Sequence, residues 1–204
     1  MNTFQERSDA LTGSACLKKA VEAQHQDEQS TQDGDVKPVR TYCLGGDLQS
    51  VQAGDYGTAI AGDSGNAMAG ESGTAIVGDR GTACAGVFGT ASAGEWGRAD
   101  SGDCGVAYVL SCGRASAGVL GTATAGDYGT AFVGDRGTAS AGVGGTVCAG
   151  EQGEIRLKYR HSRSKRYRTV TGCIGENGLE PNTPYTLNDK HVFVRVDLAR
   201  GDPQ

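Results

Sequence analysis

Residues 53–60 read AGDYGTAI, and residues 125–132 read AGDYGTAF, the same octad nine units further on. Between them the unit A-G-D-x-G-T-A-x recurs with little drift. From Gly57 to Gly153 every eighth residue is glycine, thirteen positions out of thirteen. A second series, from Gly54 to Gly150, keeps the same interval and fails only at Leu110. Residues 53–153 therefore hold 26 of the 34 glycines, and the other 103 residues hold 8. The high glycine content comes from the repeat. With 4 prolines and a period of eight, it cannot be collagen.

The unit's physics is local. Ala59 and Ala61 are two residues apart and share one strand face, as do Ala67 and Ala69. The alternate positions hold mostly Thr followed by a variable residue, but include Arg98 and Asp100. A face carrying both charges cannot be a dry core, so alanine points in and the Thr/variable face points out. The G-D-x-G stretch is a turn whose left-handed or close-approach geometry opposes side chains at the glycines.

Eight residues cannot close a coil. Two units can, as a flattened sixteen-residue coil with one strand on each of two faces. Stacked through parallel ladders at about 4.8 Å, twelve units predict about six coils, on the order of 29 Å long. GDRGTACAGV (78–87) and GDRGTASAGV (134–143) lie seven units apart. Like the nine-unit recurrence of AGDYGTA, this is an odd number, so the two faces are interchangeable. That fits a two-faced coil better than a three-sided one of 24 residues. The expected fold is all-β: a parallel, β-roll-like solenoid with a thin alanine core, widened at Val77, Val109, Val133 and Val147.

GTASAG, GTATAGDYGTA and the tail RYRTVTGCIGENGLEPNTPYTLN resemble a family of bacterial and phage octapeptide-repeat proteins, many of them hypothetical. Their repeats are similar to those of ice-nucleation proteins. The resemblance spans about residues 53–197 and implies a β-solenoid closed by a small C-terminal β module. It carries over no activity.

The flanks differ in kind. Residues 1–38 read as a short helix over 15–24, capped by Ser14, and a flexible polar linker. Residues 39–52 read as a strand with an irregular first coil that covers the stack's N-terminal end. In 154–197, EIRLKYR and RYRTVTGCI alternate as two strands of a basic hairpin. ENGLEPNTPY is a turn-rich connection, HVFVRVDL (191–198) a third strand, and 198–204 a frayed tail.

Several residue sets could carry function. Asp55, Asp63, Glu71, Asp79, Glu95, Asp103, Asp127, Asp135 and Glu151 follow the second glycine series. Regular acids in glycine-rich turns resemble those of calcium-loaded β-rolls. Val87, Val119 and Val143 interrupt the set, which an ion ladder would not tolerate, so turn capping as an Asx-turn is the better reading and no metal is expected. Outward Thr58, Thr74, Thr90, Thr122 and Thr138 form a column, a hint of ice binding, with Tyr108 standing proud beside it. At mid-repeat Phe88, Trp96, Arg98, Tyr108, Arg114 and Leu120 replace small residues. With Phe88, Trp96 and Leu120 expected on one edge, they suggest an apolar-plus-arginine patch for a protein partner or self-association.

The strongest charge feature is Arg156, Lys158, Arg160, Arg163, Lys165, Arg166 and Arg168, seven cations in thirteen residues beside His161. Residues 154–204 carry +4 while 53–153 carry −6, within an overall −5. That polarity could steer nucleic acid or an anionic membrane surface. The seven cysteines (Cys16, Cys43, Cys84, Cys104, Cys112, Cys148, Cys173) include no C-x-x-C pair. An odd count without a framework suggests the cytoplasm or another reducing compartment. There is no classical secretory signal and no apolar run long enough to span a membrane. No nucleophile elbow or phosphate loop is present, and no cofactor is expected. The sequence thus suggests a non-enzymatic structural or protein-interaction module. Anion binding by the basic hairpin is the alternative, and ice or calcium binding a minor one.

Overall fold

The computed structural model describes residues 41–196; the helix expected over 15–24, the linker to residue 38 and the tail from 198 lie outside them. The described chain is a parallel β-solenoid of two nine-stranded sheets. The first sheet stacks β1 (Tyr42–Leu44), β3 (Thr58–Ile60), β5 (Thr74–Ile76), β7 (Thr90–Ala93), β9 (Val106–Val109), β11 (Thr122–Ala125), β13 (Thr138–Ala141) and β15 (Glu154–Arg160). The second stacks β2 (Ser50–Gln52), β4 (Asn66–Ala69), β6 (Thr82–Ala85), β8 (Arg98–Ser101), β10 (Arg114–Ala117), β12 (Thr130–Val133) and β14 (Thr146–Ala149). Each residue pairs with the one sixteen positions on, as Thr74 does with Thr90 and Arg98 with Arg114.

Seven coils form, the six of the repeat preceded by an irregular one over residues 42–52, where the octad is too degraded to recognise by its glycines. Gln49 stands where the repeat has glycine, yet Leu48 donates its N–H to the Asp63 carbonyl as its counterparts do in later coils. At about 4.8 Å per coil the stack is about 34 Å long.

The core is a double column of small side chains. Ala59, Ala67, Ala75, Ala83, Ala91, Ala99, Ala107, Ala115, Ala123, Ala131 and Ala139 are wholly buried. Val77, Val109, Val133 and Val147 join them, as expected. So little apolar area per residue makes the ladder bonds a large share of what holds the coils.

Of the two geometries expected at the turn glycines, close approach is the one found. The variable residue of G-D-x-G, not a glycine, takes positive φ: Leu48, Tyr56, Ser64, Ser72, Arg80, Phe88, Trp96, Cys104, Cys112, Leu120, Tyr128, Arg136 and Gln152 lie between +52° and +59°. Gly144, at +69°, is the one glycine among these variable positions. The flanking glycines serve close approach instead. A Cβ on Gly57 would sit 2.7 Å from the Ala53 Cβ, and one on Gly94 2.2 Å from the Asp79 Oδ1. Leu110, the one exception, follows a coil whose acid is Glu95, and its N–H bonds the Ala93 carbonyl.

The C-terminal module closes the stack by reversing strand direction. β16 (Tyr167–Cys173) pairs antiparallel with β15 along seven residues. β17 (Tyr185–Leu187) pairs antiparallel with β14, and β18 (Phe193–Arg195) with β17. Ile155, Leu157, Ile174, Leu179 and Tyr185 plug the open end of the alanine core. The third strand is thus shorter than HVFVRVDL and preceded by one that begins at the last residue of the turn-rich connection. Its inward residue is Phe193, packed against the core, while Val192 and Val194 are exposed.

Candidate functional surfaces

The solenoid has two sheet faces, two edges of stacked turns, and a projecting hairpin. The acidic columns run along the edges. Asp55 Oδ1 accepts the Glu71 N–H at 2.8 Å, Asp63 that of Asp79 at 2.9 Å, and Asp79 that of Glu95 at 2.7 Å. Asp103, Asp127 and Asp135 accept from Val119, Val143 and Glu151, each at 2.8 Å. The carboxylates therefore cap backbone N–H groups, but of the next coil sixteen residues on, not of their own turn. This is why valine can follow aspartate: Val119 and Val143 supply only an N–H. Asp47, which bonds Asp63 in the same way, belongs to the column too. Its spacing of eight from Asp55 is the signal that would find it. Glu71, Glu95 and Glu151 occupy the same positions without a corresponding bond among the described residues. Among those residues no three His, Cys, Asp or Glu side chains are grouped to hold a metal ion.

The expected mid-repeat patch does not form one surface. Sixteen-residue pairing puts Phe88 and Leu120 on the edge shared with Tyr56 and Cys104, where Phe88 N–H bonds the Asp103 carbonyl and Leu120 N–H that of Asp135. Trp96 lies eight residues out of phase, on the opposite edge with Cys112 and Tyr128. Tyr108 is on the first sheet's outer face, and Arg98 and Arg114 are neighbours on the second's. The six residues thus divide among four sides. Exposure of Phe88, Trp96 and Leu120 is nevertheless high, at 60%, 65% and 55%.

On the second sheet, Arg98 bonds Asp100, and that carboxylate raises the guanidinium pKa. Arg114 lies 4.3 Å from the centre of the Phe132 ring, a cation–π contact that the octad pattern conceals. Burial, with the nearby Asp100 carboxylate, pushes the Cys84 thiol up, and burial does the same to Cys148. The outward threonines of the first sheet do form one column through Thr58, Thr74, Thr90, Val106, Thr122 and Thr138.

The basic residues sit on the hairpin β15–β16. Arg156 makes a two-pronged pair with Glu154 at 2.9 and 2.8 Å, which holds the Glu154 carboxyl below its usual range. Lys158 and Arg160 alternate with it, opposite Thr169 and Tyr167. Arg168 pairs with Tyr159 and so belongs to the other face, while Arg163, Lys165 and Arg166 lie in the exposed bend. Tyr159 stacks on His191 at 3.8 Å, which ties the hairpin to the last strands. Arg195 pairs with Glu180. Among the described residues no helix is long and apolar enough to cross a membrane.

Comparison with models of known protein families, with curated proteins and with solved structures finds no match to this chain. What the fold defines is a class, the parallel β-solenoid with two strands per coil and an antiparallel C-terminal closure.

Proposed function

We propose that the protein is a non-enzymatic scaffold that presents protein-binding side chains along the edges of a rigid solenoid. One observation carries this reading: large apolar side chains occupy left-handed turn positions and project into solvent. Tyr56, Phe88 and Leu120 do so on one edge, Trp96 and Tyr128 on the other, all at least half exposed. Glycine or asparagine is the unstrained choice at such a φ. Keeping a ring there costs stability without filling the core, the pattern expected where a partner uses the ring.

Trp96, the chain's one tryptophan, is a built-in reporter. Its emission is expected to be that of a wet indole in dilute protein and to shift blue on complex formation. Trp96→Ser with Tyr128→Ser should abolish specific partner recovery from source-cell extract while leaving the circular dichroism unchanged. Equal recovery by wild type and variant, with the wild-type emission unmoved, would sink the reading.

A second reading has its own support. The hairpin strands are seven residues long against three or four in the coils, so they project the cations other than Arg156, and Tyr167, 64% exposed, beyond the stack. This suits an anionic partner, nucleic acid or membrane surface. Salt-sensitive binding to oligonucleotides or anionic vesicles, lost on replacing Arg163, Lys165 and Arg166 with Ala, is the expected result. Binding unchanged by those replacements excludes the hairpin.

A further inference from the structure

We infer that two copies of the chain associate side by side, antiparallel, through the edge that carries Tyr56, Phe88 and Leu120. This rests on the interaction-module reading and names one partner for it. Down that edge the left-handed residues run Tyr56, Ser72, Phe88, Cys104, Leu120, Arg136. For five successive coils large and small alternate, so knobs recur every two coils, about 9.6 Å, with gaps between them. On this edge the two turns whose acid is replaced by valine are those that carry Phe88 and Leu120, and Val87 and Val119 are themselves exposed. Apolar surface and loss of charge therefore coincide on this edge.

The row is complementary to itself in one register. A two-fold axis between the Phe88 and Cys104 levels sets Phe88 of each copy against Cys104 of the other, and Leu120 against Ser72. The same axis brings Arg136 to the Tyr56 ring and the Asp55 carboxylate. Within its own chain Arg136 bonds Gln152 and has no ion pair among the described residues. The pairing thus supplies an aromatic face, while the same register sets Asp135 beside Asp55 and so adds no net counter-charge. Such an arrangement is isologous and closed. On the opposite edge Arg80 and Trp96 stand in adjacent coils, which breaks the alternation. An interface one column wide falls short of the ~800 Å² per partner of a standard stable complex, so the association is weak and occurs at high concentration.

Cys104 lies at the centre of this interface and is exposed, which makes the register testable with the full-length wild-type chain. At high concentration a short bismaleimide should link Cys104 to Cys104 in preference to any other pair, as read by mass spectrometry of the linked peptides. Cys173 is also exposed and stands off the edge, so its linkage sets the level of random collision. Phe88→Ser and Leu120→Ser place in those turns the residue already native at Ser72. They should leave the circular dichroism unchanged and lower the Cys104 linkage about tenfold, and Arg136→Glu should lower it too. Linkage at Cys104 no greater than at Cys173, or dominated by Cys112 on the other edge, overturns the pairing. If it fails while the Trp96 and Tyr128 variants still lose partner recovery, the interaction reading stands without the self-pairing; if neither effect is seen, both fall.

Discussion

Ser101 occupies a column that elsewhere holds alanine or valine, and its hydroxyl is buried with no hydrogen-bond partner among the described residues. An unpaired buried hydroxyl costs about 1–3 kcal/mol. Ser101→Ala restores the repeat residue and should stabilise the fold by about 1 kcal/mol. Gly94→Ala should do the reverse. Its Cβ would lie 2.7 Å from the Asp79 amide nitrogen and 2.8 Å from the Gly78 carbonyl carbon, and backbone cannot swing aside as a side chain can. A loss of at least about 2 kcal/mol is expected. Urea unfolding of both variants against wild type checks the opposite signs. At this scale the octad is a good guide to burial, because alternation alone separates the alanine and threonine faces. It is a poor guide to backbone sign. Both positive φ and close approach favour glycine, and composition does not tell which of them a given glycine serves. Side chains as bulky as Trp96 tolerate the left-handed position, while the glycines beside them do not need it.

At the level of strands and turns, the cysteines divide by environment. Cys84 and Cys148 project from the second sheet, where burial raises their thiol pKa values and keeps them protonated. Cys104 and Cys173 are exposed. Because the thiolate is the nucleophile, iodoacetamide at pH 8 should label Cys104 and Cys173 severalfold faster than Cys84 and Cys148, as followed by peptide mass spectrometry. The sign carries over to stability. A thiol whose pKa is raised by folding opposes ionisation, so the fold loses stability as pH rises past the unfolded thiol's range, near 8.5. The repeat strands are legible from their period, and so is the hairpin β15–β16 from the alternation of Ile155, Leu157 and Tyr159. β17 is not, since three residues between Pro184 and Asn188 leave no room for a periodic signal. The edge that carries Trp96 is also hard to read. Residues eight apart look equivalent in the octad, but strands alternate between sheets, so only a count of sixteen brings turns to the same side.

The whole molecule is a stack in which each coil touches only its neighbours, and its period is two octads. Removing residues 118–133 deletes one coil and keeps every later strand in its own sheet. The product should fold cooperatively and be shorter by about 4.8 Å, measurable by small-angle scattering. Removing residues 118–125 instead would move every later strand to the other sheet. β15–β16 and β17–β18 would then have to exchange sheets, and the closure by Ile155, Leu157 and Tyr185 should fail, with a clear loss in melting temperature. Equal stability of the two deletions would refute the sixteen-residue period as the folding unit. The repeat makes the long axis and the two-sheet section legible. The first coil and the plugged end are less so, because both are built from residues that depart from the octad.

The left-handed turn residues have a consequence as metrology. Their side chains leave the rod at fixed intervals of one coil, from a backbone tied to both neighbours by ladder bonds and by the aspartate bridges. Probes at positions 56 and 120 would therefore stand four rises apart, about 19 Å, and probes at 56 and 152 six rises apart, about 29 Å. The edge is a graduated scale, and distances between labels placed on it are set by counting.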